Sequence, residues 1–125
     1  VYAIDLKFKL NLVNNQLAAK EIYIARYYMK TQKWIPAINR LKTVVKDYDE
    51  TIFIEEALHR LVEIYYKIGL VDEAKRTAKI LGYNYNSSEW YEKSYSILKK
   101  EYKIKIDKKD EEDGLIKKVI EKILS

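Results

Sequence analysis

Tyr28 and Tyr65 stand 37 residues apart, and Ala37 and Ala74 repeat the same offset. In each copy the tyrosine precedes the alanine by nine residues. The first copy reads Ile24-Ala25-Arg26-Tyr27-Tyr28, then Trp34, then Pro36-Ala37-Ile38. The second reads Leu61-Val62-Glu63-Ile64-Tyr65-Tyr66, then Gly69 and Val71, then Glu73-Ala74-Lys75. A repeat of this length marks stacked units, each too small to bury its own apolar surface.

Each copy carries helical periodicity. Ile24, Ala25 and Tyr28 share one face, and Ala37, Ile38, Leu41, Val44, Val45 and Tyr48 form a second stripe. Ala57, Leu58, Leu61, Val62 and Tyr65 recur at steps of three and four, as do Val71, Ala74, Ala78 and Leu81. That spacing lines up one side of a helix. The expectation is an all-α, tetratricopeptide-like helix-turn-helix solenoid. Ala25, Ala37, Ala57 and Ala74 would let paired helices approach closely. Gly69 supplies one turn, Gln32-Lys33 the other, and Gly82 reads as a C-terminal cap.

The segments divide as follows. Residues 1–17 read as a helix from a preceding repeat, with Ile4, Phe8 and Leu12 at period four and Asn14-Asn15 at its end or bend. Residues 18–50 and 51–86 are the two repeats. Residues 87–102 form a flanking helix bearing Trp90, Tyr91, Ser94, Tyr95 and Leu98, with N-caps offered by 86–88. Residues 103–114 read as a charged linker. Residues 115–125 read as an amphipathic helix, with Ile116, Val119, Ile120 and Ile123 on one face; it either caps the array or docks on a partner. The chain opens on Val1, which reads as a fragment or a processed form.

Composition narrows the function classes. Three glycines and one proline in 125 residues argue against an all-β fold. No cysteine removes disulfides, thiol catalysis and cysteine-zinc sites. The three glycines lie far apart, so there is no phosphate-cradling loop. The chain has one histidine, His59. Glu56 and His59 stand at i and i+3, like half of a di-iron site, but such a site needs two histidines. No metal, no cofactor and no catalytic residue are therefore expected. His59 reads as a surface or interface residue, with Glu55 within reach at i−4. Ser94 and Ser96 read as helix surface. The net charge of +5 has two readings, a lysine-rich composition bias or a basic surface for nucleic acid or anionic membrane.

The residues resemble the tetratricopeptide repeat family through Ile24, Ala25, Tyr28, Trp34 and Ala37, and again through Leu58, Leu61, Tyr65, Gly69, Ala74 and Leu81. Val62 and Asp49 depart from the usual small residue and proline. Longer strings are more specific. Leu17-Ala18-Ala19-Lys20-Glu21, Ala25-Arg26-Tyr27-Tyr28, Ala37-Ile38-Asn39-Arg40 and Lys46-Asp47-Tyr48 resemble the BamD family. So do Glu55-Glu56-Ala57-Leu58-His59-Arg60-Leu61-Val62-Glu63 and Ala74-Lys75-Arg76. That family comprises repeat lipoproteins of the outer-membrane β-barrel assembly machine. The resemblance runs from residue 2 to about 98.

The resemblance implies the C-terminal half of such a protein, at the periplasmic face of the bacterial outer membrane. It implies binding of the periplasmic domains of BamA and of accessory lipoproteins, with unfolded outer-membrane proteins as further clients. It implies no nucleic acid, and membrane attachment only through a lipid anchor outside this chain. An arginine of the Asn-Arg pair in the repeat's second helix takes part in the family's BamA contact, which here would be Arg40. Arg40 lies off the Ala37–Ile38–Leu41 stripe and is expected to face solvent. Arg26 and Arg60 are further candidates, because a planar guanidinium can hold a partner's carboxylate by two bonds. Tyr27 and Tyr66 would line a groove, while Tyr28 and Tyr65 enter the core. A generic repeat adaptor of another complex is the alternative.

Overall fold

A computed structural model describes residues 1–85 and 89–106, with side chains described as far as residue 99. Five helices follow one another: α1 (Tyr2–Lys30), α2 (Trp34–Asp47), α3 (Ile54–Lys67), α4 (Val71–Tyr85) and α5 (Glu89–Ile106). No strand occurs among the described residues. The fold is the expected all-α, tetratricopeptide-like array. The chain forms two compact units, Val1–Ala57 and Leu58–Ser125.

In the first unit α1 packs on α2. Ala18, Ile22 and Ala25 of α1 are buried, as are Ala37, Ile38, Leu41 and Val44 of α2. The small side chains sit where the helices meet, and a buried leucine such as Leu41 contributes about 1.5–3 kcal/mol by leaving water. In the second unit α4 packs on α5. Its buried set includes Leu58, Leu61, Val62, Ile64, Tyr65, Ala74, Ala78, Leu81 and Leu98. Tyr65 is buried as expected, whereas Tyr28 is only half-buried.

The two hairpin turns match bond for bond at the 37-residue offset. Lys33 N–H donates to the Tyr28 carbonyl at 2.8 Å, and Leu70 N–H to that of Tyr65 at 2.8 Å. Gln32 N–H donates to Met29 at 3.1 Å, and Gly69 N–H to Tyr66 at 3.2 Å. These are the paired bonds of a Schellman motif, which needs a left-handed residue just past the helix. Gly69 takes that position at φ 89° and Gln32 at φ 60°. The next helices begin alike, with Ala37 N–H on Lys33 and Ala74 N–H on Leu70.

Several expectations change. Asn14 and Asn15 neither end nor break a helix, because α1 runs unbroken from Tyr2 to Lys30. Asn15 Oδ1 instead accepts from the Ile52 N–H at 3.1 Å and ties the α2–α3 connection to α1. That tertiary bond offsets the poor helix propensity of asparagine, about half a kcal/mol. Thr51 secures the same connection by donating from Oγ1 to the Tyr48 carbonyl at 2.6 Å. Gly82 caps nothing; it lies inside α4, which continues to Tyr85. α5 continues to Ile106, past residue 103 where a linker was expected. The expected N-caps at 86–88, the rest of that linker and the helix at 115–125 lie outside the described residues.

Candidate protein-binding surface

Arg40 lies on α2, one position from the buried Ile38–Leu41 stripe. It does not simply face solvent. Its Nη1 donates to both oxygens of Glu21 on α1, at 3.3 Å each. The Arg40 side chain keeps 42% of its surface and Glu21 keeps 17%. A guanidinium has five N–H donors, so one nitrogen spent on Glu21 leaves others for a partner. Glu21 thus orients Arg40 and limits the entropy lost on binding. Asn39 beside it is exposed.

Arg26 is committed more deeply. Its Nε donates to Glu56 at 2.8 Å and its Nη2 at 2.5 Å, a forked ion pair between α1 and α3. Glu56 is buried. Tyr27 projects with 58% of its surface exposed. Its ring lies 5.9 Å from that of Tyr28.

The second unit places Arg60 and Tyr66 on α3. Arg60 donates to Glu63 at 3.4 Å, and its guanidinium carbon lies 5.5 Å from the Trp90 ring centre. Lys93 Nζ lies 4.3 Å from the same ring. Both cations are within cation–π range. Tyr66 is half-buried and lines an open groove of about 460 Å³ with Glu63, Lys67, Ser96 and Ile97. Arg26, Arg40 and Tyr27 belong to the first unit, and Arg60 and Tyr66 to the second.

His59 is not a surface residue. It is 3% exposed, and its Nδ1 and Ser94 Oγ share a 2.8 Å hydrogen bond. Its ring lies 5.4 Å from Trp90, and its Nε2 lies 3.8 Å from Glu63. Ser94, also expected on the surface, is fully buried, while Ser96 is exposed and donates to the Glu92 carbonyl. Serine, histidine and carboxylate in line resemble a nucleophilic triad. Here the hydroxyl has no exposed surface for a substrate to reach, so the arrangement fastens α5 to α3. A signal for it was present: Trp90, Ser94 and Leu98 fall at steps of four, and a serine inside an apolar stripe needs a buried partner.

Among the described residues, no group of three acidic or histidine side chains could hold a metal ion. None of their helices is long and apolar enough to cross a membrane.

Residues 1–81 match the family model YfiO, described as an outer membrane lipoprotein. The outer membrane protein assembly factor BamD of Rickettsia prowazekii is 48% identical over 98 residues, 78% of this chain and 39% of that protein. The protein of the same name from Caulobacter vibrioides is 45% identical over 97 residues, 78% of this chain and 32% of its own length. That from Vibrio cholerae is 31% identical over 83 residues, 66% of this chain and 34% of its own. This chain thus spans about a third to two-fifths of the length of these relatives.

Proposed function

Because the chain belongs to the YfiO (BamD) family of outer membrane lipoproteins, we propose that it is a non-catalytic scaffold in outer-membrane protein assembly. It binds the periplasmic domains of BamA through the first hairpin and works at the periplasmic face of the outer membrane. The observation that carries this reading is the Arg40–Glu21 pair at 3.3 Å. It presents a half-exposed, oriented guanidinium on the first hairpin, within the stretch that matches the family model. Accessory lipoproteins and unfolded outer-membrane proteins would use other faces, with Tyr27, Arg26, Arg60 and Tyr66 as candidates.

Calorimetry with the periplasmic domains of BamA from the same source tests this. Wild type should bind in the micromolar range or tighter. Arg40→Glu should weaken binding by at least tenfold, about 1.4 kcal/mol. Glu21→Gln should weaken it less, because the guanidinium stays but loses its orientation. Binding unchanged by Arg40→Glu would move the interface off this hairpin. Absence of binding by a helical wild type would leave a generic repeat adaptor.

A further inference from the structure

The outer face of α4 carries Arg76, Lys79, Ile80 and Tyr83 at helical steps of three and four. Ile80 keeps 48% of its surface and Tyr83 82%. With Asn84 these side chains line an open concavity of about 490 Å³. Arg76 is held by Glu73 one turn earlier, but a guanidinium has donors to spare. Two cations followed by two open apolar side chains suit an occupant with the complementary order: carboxylates, then an apolar stripe.

The chain carries such a segment beyond the end of α5 at Ile106. Residues 107–125 hold Asp110-Glu111-Glu112-Asp113, then Ile116, Val119, Ile120 and Ile123 at helical spacing. Direction agrees as well. His59 meets Ser94, and Lys67 lines one groove with Ile97, so α3 and α5 run the same way. α4 runs opposite to both, because the Gly69 turn reverses the chain. A segment that turns back after Ile106 therefore runs along α4 from its start to its end and meets Arg76 before Tyr83.

The length fits too. Ile106 lies nine residues beyond Ile97, about 13 Å past the level of that turn. Arg76 lies five residues into α4, about 8 Å from its start. The seven residues from Ile106 to Asp113 reach about 25 Å at full extension, enough to set Asp113 beside Arg76. Asp72 and Glu73 at the start of α4 repel the earlier acidic residues, so Asp113 is the carboxylate placed to meet the cations. We propose that residues 113–123 fold back along α4 and close this patch as an intramolecular cap, with Ile116 beside Ile80 and Ile120 beside Tyr83. A stacked array needs its last open face covered, and this segment supplies the cover.

Disulfide trapping in the full chain tests this, since the chain has no cysteine of its own. Ile80→Cys with Ile116→Cys should bridge within one chain. Its effective concentration should exceed that of Ile80→Cys with Ile123→Cys by at least about tenfold, because the second partner sits about 10 Å further along. A free tail would favour the shorter loop by less than about 1.5-fold. Adding Arg76→Glu and Lys79→Glu should lower the first value at least about fivefold by turning attraction into repulsion. The substituted α4 positions are exposed, so helical content should not change. A ratio near that of a free tail would overturn the proposal, as would bridges that form mainly between two chains or a yield indifferent to the charge reversal. Binding of the unsubstituted chain to phosphatidylglycerol vesicles that Arg76→Glu with Lys79→Glu abolishes would also overturn it, because the patch would then be open to a lipid surface.

Discussion

Arg26 grips the buried carboxylate of Glu56 with Nε at 2.8 Å and Nη2 at 2.5 Å, joining residues 30 positions apart in the chain. Half of the arginine side chain stays in solvent and almost none of the glutamate does. The asymmetry decides which substitution costs more. Arg26→Ala leaves a buried carboxylate without its guanidinium and should destabilise the fold by about 2 kcal/mol, below the 3–5 typical of fully buried pairs because solvent reaches one partner. Glu56→Gln keeps the volume and releases an arginine that water can solvate, so it should cost less. Urea unfolding of both variants checks the order; a costlier Glu56→Gln would contradict it.

The left-handed residues predict opposite outcomes at equivalent positions. Gln32→Gly should stabilise the chain by about 0.5–1 kcal/mol, because a side chain at positive φ is strained and glycine is not. Gly69→Ala should destabilise it by about 1 kcal/mol. No atom lies within 4 Å of a Cβ built at Gly69, so the cost there is backbone strain alone. Thermal melts of the two variants should move in opposite directions.

Ser94→Ala removes the hydroxyl that meets His59 Nδ1. A buried polar atom deprived of a partner costs about 1–3 kcal/mol. The expected result is a loss near the lower end, accompanied by faster proteolysis after Lys99 on α5. Unchanged proteolysis would mean that this bond does not fasten α5.

Ala37 and Ala74 have no exposed surface at the starts of their helix packing faces. Enlarging either to leucine adds volume where helices already touch, and overpacking of this kind costs about 1–3 kcal/mol. Denaturant midpoints should fall in both Ala37→Leu and Ala74→Leu. Ala19→Leu, at a half-buried position, should fall much less.

The helices and their order were legible because apolar residues recur with helical spacing, and that signal is local. What stayed hidden involves long separations. Arg40 lies off its stripe, and nothing in its neighbourhood reveals that Glu21, 19 positions earlier, holds it. Glu56 and His59 are neighbours on one helix turn, and nothing local reveals that Arg26 grips the first or that Ser94 meets the second. Asn15 has a poor helix propensity, and only its bond to Ile52 explains why α1 ignores it. Gly82 shows the converse: a residue common at helix ends is tolerated within the last turn of α4.

The matched turns at Gln32 and Gly69 also bear on the order of folding events. Each hairpin closes through bonds spanning five residues or fewer, so its ends meet without a large loop to close. Such contacts form early and fast, on the microsecond scale or below. The bonds from Arg26 to Glu56 and from Asn15 to Ile52 must wait until whole helices have come together. Loss of those late contacts should leave the refolding rate nearly unchanged and appear as faster unfolding. The two turns are the sites where a substitution should slow refolding itself.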